Sequence, residues 1–200
     1  MLRRSALRHW CCRTGSLHGR CGRYRLHDCL PADLCPEGKH ECTLRLPLPL
    51  AGRTAVVTGV SRRQGIGFAV ASRLAQMGAS LYLAHFSPHD AQQPRGADNV
   101  NDVVGGLRAQ LADGARLAHG STDLAAADGA AQVIDAAGSA LGHLDILISN
   151  HARSGGDGTL AEMTSEKLDA HWQVNTRSTL LLTRSFAEQH DGRPGAGLFG

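Results

Sequence analysis

Ala55-Val56-Val57-Thr58-Gly59-Val60-Ser61-Arg62-Arg63-Gln64-Gly65-Ile66-Gly67 is the stretch that decides the fold. It opens with a short apolar run rich in β-branched side chains, met at once by glycine, which is the pattern of a strand buried on both faces. Beyond the glycines, Ile66, Val70, Leu74 and Met77 recur at helical spacing and predict a core-facing stripe that Gly78 ends. Strand, glycine turn and helix in this order suit a pyrophosphate. The helix N-terminus offers unpaired N–H groups and a partial positive charge, and glycine lets the backbone come close to the phosphates.

The same alternation continues outward. Leu81 to Ala84 reads as a second strand, and Ser87 to Asn99 as a polar, proline-containing loop. Val100, Val103, Val104, Leu107 and Leu111 mark a helix, Ala115 to Ala118 a modest third strand, and Ala130, Val133, Ile134, Ala137 and Leu141 another helix. Leu144 to Ile148 is the clearest strand. A long helix is predicted from about Ser165 to Gln189, with Leu168, Trp172, Leu180, Leu181 and Phe186 among its apolar positions. Strands alternating with helices give parallel strands joined by right-handed crossovers, an α/β sandwich. No internal repeat is visible.

The first fifty residues are different. They hold nine Lys/Arg against four Asp/Glu, whereas residues 51–200 hold twelve against fourteen. All six cysteines (Cys11, Cys12, Cys21, Cys29, Cys35 and Cys42) lie there too. Charge and cysteine usage together put a boundary near Leu46–Leu50, with Pro47 and Pro49 as a stiff lead-in. Residues 1–47 read first as a basic, Cys-rich extension, disordered or spurious. A targeting peptide, a zinc site and a basic arm for nucleic acid stay open as alternatives. The absence of a Cys-x2-Cys pair weakens zinc, and the absence of aromatic or motif context weakens nucleic acid. No apolar run reaches the ~18 residues of a membrane span. Beyond the boundary the chain has no cysteine, which suits a reducing, cytoplasmic setting.

With these motifs in order, the chain resembles the short-chain dehydrogenases/reductases over about residues 48–195. Thr58-Gly59…Gly65-Ile66-Gly67 is similar to the family's glycine motif. Asp123-Leu124 matches the family's Asp near the adenine ring. Ser149-Asn150-His151-Ala152 sits where the family has Asn-Asn-Ala-Gly, and Asn175 matches the Asn of its Asn-Ser-Tyr-Lys tetrad. There are departures: five residues rather than three part the first two glycines, a spacing similar to that of divergent enoyl reductases, and the loop after the fourth strand has Ser149 and Ala152 at altered positions. The resemblance implies a three-layer NAD(P)-binding Rossmann fold with a parallel sheet. It also implies hydride transfer between a nicotinamide cofactor and a ketone, alcohol or 3-oxoacyl substrate, and homo-oligomers. Nucleic acid, membrane and metal are not expected partners. The implied cofactor-binding residues are Gly59, Ser61, Arg62, Arg63, Gly65, Ile66, Gly67, His85, Asp123, Leu124, Asn150, His151 and Ala152.

Enzymes of this type that use NAD place a carboxylate at the end of the second strand, where it accepts from the ribose hydroxyls. Here His85 holds about that position, and Arg62 and Arg63 offer guanidinium groups for a phosphate. NADP is therefore expected, with NAD possible. The tetrad's Tyr and Lys have no counterpart, because the tyrosines are Tyr24 and Tyr82, the lysines Lys39 and Lys167, and no Tyr-x-x-x-Lys exists. The resemblance then implies a chain truncated before the catalytic Ser and Tyr-x-x-x-Lys, an inactive fragment with Asn175 as its single tetrad member. A non-catalytic nucleotide- or partner-binding module is the alternative. The sheet is expected to lack its C-terminal strands and to expose the edge of the fourth, with residues 196–200 as a tail.

Overall fold

The computed structural model describes residues 48–200, apart from Asp157, Arg193, Ala196 and Gly200. The chain divides between Arg45 and Leu46, close to the shift in composition. The extension 1–47, with its cysteines, lies outside the described residues.

Among the described residues five strands form one parallel sheet in the order β3-β2-β1-β4-β5. They are β1 (Thr54–Thr58), β2 (Ser80–His85), β3 (Leu117–Ser121), β4 (Ile146–Ile148) and β5 (Gly197–Phe199). The side-chain period of two divides each strand between the faces. On one face Ala55, Val57, Leu81, Leu83 and Ile146 pack against α1 (Ile66–Gln76) and α3 (Val100–Arg108). On the other Val56, Tyr82, Ala84 and Leu147 meet α4 (Gly129–Leu141) and α6 (Ser178–Glu188). The result is the expected three-layer α/β architecture. From β1 the chain steps one way to β2 and β3 and the other way to β4, so a crevice opens beyond the carboxyl ends of β1 and β4.

Four details differ from the sequence reading. The first is the buried stripe of α1, which is Gly67, Ala71 and Ala75, while Ile66 is 75% exposed. Small residues win because this helix lies close on the sheet. The second is α2 (Ser87–Ala91), a short helix within the supposed loop, carrying Pro88 in its first turn. The third is the long helix, which breaks into α5 (Ser165–His171), a π-helical segment Trp172–Arg177 and α6. Leu182 and Phe186 carry its core contact, whereas Leu168, Trp172 and Leu180 are more than half exposed. The fourth is the tail. Gly197–Phe199 pairs in parallel with Ile146–Ile148, and the Gly197 amide donates to Asp145 O at 2.9 Å. The domain therefore runs past Gly195 and the described sheet does not end at β4. Backbone pairing needs no side-chain pattern, so three residues suffice for it.

Below the sheet, Asp145 ties β1 to β4. Its carboxylate accepts from Arg53 at 2.7 Å and from the Thr54 amide at 2.9 Å, and His143 Nε2 lies 2.9 Å away. Burial pushes this carboxyl up, but the Arg53 and Thr54 hydrogen bonds and the nearby positive charge outweigh it and hold the group below its usual range. Among the described residues no helix is long and apolar enough to cross a membrane.

Candidate functional site

The glycine loop is held by Asn150. Thr58 Oγ1 accepts from the Asn150 amide at 3.0 Å, and Asn150 Nδ2 donates to Thr58 O at 3.3 Å and Gly59 O at 3.2 Å. Gly59 turns with φ +70°, and a Cβ there would lie 2.9 Å from Asn150 O and the His151 backbone. At Gly67 a Cβ would meet Gly59 O at 2.6 Å and Asn150 Nδ2 at 2.7 Å. These two glycines are needed by the protein's own packing. Gly65 is different, with ordinary φ of −98° and a single backbone contact, Arg62 O at 3.2 Å. It caps α1, whose first turn has no acidic residue and no side-chain cap. The helix end thus offers its free amides to the crevice rather than to a protein group.

That crevice is a cleft of about 400 Å³. Its lining gathers most of the expected residues: Gly59, Ser61, Arg62, Gly65 and Ile66 from the loop and α1, His85 from the end of β2, Asp123 and Leu124 after β3, and Asn150, His151 and Ala152 after β4. Gly67 lies beneath the loop and Arg63 outside the wall, where its amide donates to Asp98 at 2.7 Å. The sequence reading missed His89, Asp90, Arg95, Arg153 and Ser154, which also line the cleft. Their placement depends on how α2 and the loop after it fold back, which no local pattern signals. Arg62 and Arg95 pair with no carboxylate among the described residues.

Two histidines are pushed below the ordinary imidazole value by their surroundings. Burial, then the neighbouring His119, pushes His85 below the usual imidazole value. The His85 Nε2 and His119 Nδ1 atoms are 3.2 Å apart, and His85 Nδ1 is buried with no hydrogen-bond partner. Burial also lowers His151, partly opposed by its bond to Val174 O. His151 Nδ1 is 2.7 Å from Thr58 Oγ1, and Nε2 lies 2.7 Å from Ser178 Oγ and 3.1 Å from Val174 O. A carbonyl can only accept, so Nε2 carries the hydrogen and Nδ1 accepts from Thr58. A π-helical turn shifts carbonyls away from their usual amides, and here His151 and Ser178 take up that of Val174.

Asn175 sits in the same turn but outside the cleft lining. Its Oδ1 accepts from the Arg153 amide at 2.7 Å and its Nδ2 donates to Arg153 O at 3.2 Å. Asn175 therefore pins the cleft wall from behind. Of the described tyrosine and lysine, neither reaches the cleft. Tyr82 is buried in β2 with its hydroxyl against Gly120, and Lys167 donates to Glu162 O at 3.0 Å.

A doubly wound parallel sheet with a glycine turn and a bare helix N-terminus at its switch point defines a dinucleotide-binding class of fold. Residues 53–197 match the family model for short chain dehydrogenases, and the chain belongs to that family. It is 33% identical over 141 residues to a short-chain type dehydrogenase/reductase of Picea abies, covering 70% of this chain and 49% of that one. A short-chain dehydrogenase/reductase from Serratia marcescens superposes with a TM-score of 0.61 at 29% identity, over 75% of this chain and 55% of its own. A short chain dehydrogenase from Burkholderia cenocepacia, solved in complex with NADP, gives a TM-score of 0.58 at 30% identity, over 70% of this chain and 52% of its own. The chain spans about half the length of the curated relatives it matches.

Proposed function

We propose that this chain binds NADP in the cleft, with NAD as the weaker ligand, and serves a cytoplasmic oxidoreductase acting on a ketone, alcohol or 3-oxoacyl substrate. The observation that carries this is the end of α1. It is uncapped and free of acid, and it is fronted by a glycine that the protein's own packing scarcely requires. A site that keeps a Cβ out without crowding it suits a phosphate that comes close to the backbone. Arg62 and Arg95 add positive charge, and the end of β2 presents His85 rather than a carboxylate. The NADP complex of the Burkholderia relative supports the same choice.

When bound, the nicotinamide would supply or accept a hydride. The residues of this chain would do the holding: the α1 amides the pyrophosphate, Arg62 the extra phosphate, and Asp123-Leu124 the adenine side. Asn175 and His151 would keep the wall after β4 in place. Neither Tyr82 nor Lys167 is positioned to move a proton at the cleft, which favours a second reading, nucleotide binding without catalysis by these residues.

Titrating the purified protein with NADPH and NADH, followed by nucleotide fluorescence, tests the assignment. Gly65→Asp keeps a good helix cap but sets a carboxylate on the phosphate site, so NADPH affinity should fall about 100-fold or more with little change in melting. Equal affinity in that variant would overturn the site. Binding without turnover of ketones or aldehydes would favour the second reading.

A further inference from the structure

The hydrogen bonds around His151 leave no place for a second proton on its ring. Thr58 Oγ1 has one hydrogen and two lone pairs. The Asn150 amide at 3.0 Å and the His151 amide at 3.3 Å take the lone pairs, and the hydrogen goes to His151 Nδ1 at 2.7 Å. The other acceptor within reach of that hydrogen, Ile148 O, is 3.3 Å away. On the far side of the ring, Nε2 donates to Ser178 Oγ and Val174 O. A proton added at Nδ1 makes it a third donor aimed at an oxygen that accepts two. One of the loop amides must then let go of Thr58. Asn150 is also the residue whose Nδ2 holds Thr58 O and Gly59 O, so its release loosens the glycine loop. His151 stands where the family motif has alanine, a side chain with no atom to make these bonds.

We infer that His151 is a positioning residue that keeps the cleft in its binding form only while its ring is neutral, so that one added proton releases the dinucleotide. This rests on the cofactor reading above. The charged groups on the surrounding elements do not rescue an imidazolium. β1 carries none, and the glycine loop brings Arg62 and Arg63. The wide turn brings Arg177, which donates to Ala125 O, and the loop after β4 brings Arg153. On α6, Arg184 and Glu188 pair with each other, and at the end of α5 His171 Nε2 is bonded to Gly155 O. Across the cleft stand His85, His89, Asp90 and Asp123. None of these groups is among the ring's hydrogen-bond partners. Burial opposes the charged ring as well, which puts the switch on the acid side of the ordinary imidazole value. Affinity is then full at neutral pH. It falls by up to about tenfold per pH unit once the free protein takes up the proton, and binding in that range expels the proton again. Charge alone gives the opposite sign, because a cation beside the cleft draws a pyrophosphate in.

The test is calorimetric titration with NADP+ and NAD+ from neutral to mildly acid solution, on the full chain and on His151→Gln. Glutamine keeps a donor for Val174 O and cannot titrate. The affinity ratio of the two proteins at each pH cancels the titration of the nucleotide's own phosphates. That ratio, wild type over variant, should be level near neutrality and fall by up to about tenfold per pH unit on the acid side. The ring C–H resonances of wild-type His151, followed by NMR, should titrate at lower pH with nucleotide bound than without. This second readout needs no variant to fold. His85→Gln, whatever its affinity at neutral pH, should keep the acid fall. An equal fall in wild type and His151→Gln, a rise in affinity on acidification, or a ring titration unmoved by nucleotide would overturn the inference while leaving the cofactor reading intact. If wild type binds neither nucleotide at neutral pH, the cofactor reading falls and this falls with it.

Discussion

Replacing Gly67 by alanine probes the arrangement on which the site depends. The new methyl carbon would stand 2.6 Å from Gly59 O and 2.7 Å from Asn150 Nδ2, where ordinary contact begins at 3.4 Å. Neither neighbour can yield cheaply. Gly59 O belongs to a backbone turn, and Asn150 Nδ2 is spent on Thr58 O and Gly59 O. Forcing a methyl into a full core costs about 1–3 kcal/mol. Displacing the Asn150 amide forfeits two hydrogen bonds, about 1 kcal/mol each. A loss of about 3–5 kcal/mol lowers the melting temperature by roughly 6–20 °C in a domain of this size. Gly65→Ala is the control: its one backbone contact is 3.2 Å away, so its melting point should move by no more than about 2 °C. Thermal unfolding followed by circular dichroism measures both. Similar melting points for the two variants would refute the packing argument.

Two further outcomes concern ionisation and burial. His85 and His151 both titrate below the ordinary imidazole value when folded, so the unfolded chain binds more protons than the native one as pH falls through about 6.5. Stability should therefore decline on acidification from that point, by up to ~1.4 kcal/mol per pH unit for each histidine, and a urea midpoint unchanged between neutral and mildly acid solution would contradict this. Asp145→Asn removes the carboxylate shared by Arg53, Thr54 and His143, and should cost about 3 kcal/mol in urea unfolding at neutral pH. For wild type, the part due to the lowered Asp145 is lost only as pH falls through and below the ordinary carboxylate value, well under the histidine window.

The sheet and the glycine turn were legible because β1, β2 and β4 are apolar on both faces and glycine follows β1 directly. The cleft lining followed from the resemblance, motif by motif. The face of α1 was misjudged because hydrophobicity favours Ile66 and Leu74, whereas a helix lying close on a sheet selects Gly67, Ala71 and Ala75. β5 escaped notice because its pairing with β4 is made by backbone groups of three residues. Asp90 and Arg95 read as polar loop, and only the folding back of that segment gives them a place in the cleft. His151 read as cleft wall, yet its ring is directed into a buried network whose partners lie 93, 23 and 27 residues away along the chain.

That network makes one mechanical piece of parts distant in sequence. Thr58 closes β1 and anchors the loop after β4, and through the imidazole it grips the wide turn that leads into α6. A push on the glycine loop cannot be absorbed locally: it is handed through one ring to a helix on the far layer of the sheet. Stiffening at one end should thus be felt as slower amide exchange at the other, around Val174 to Ser178, when the cleft is filled.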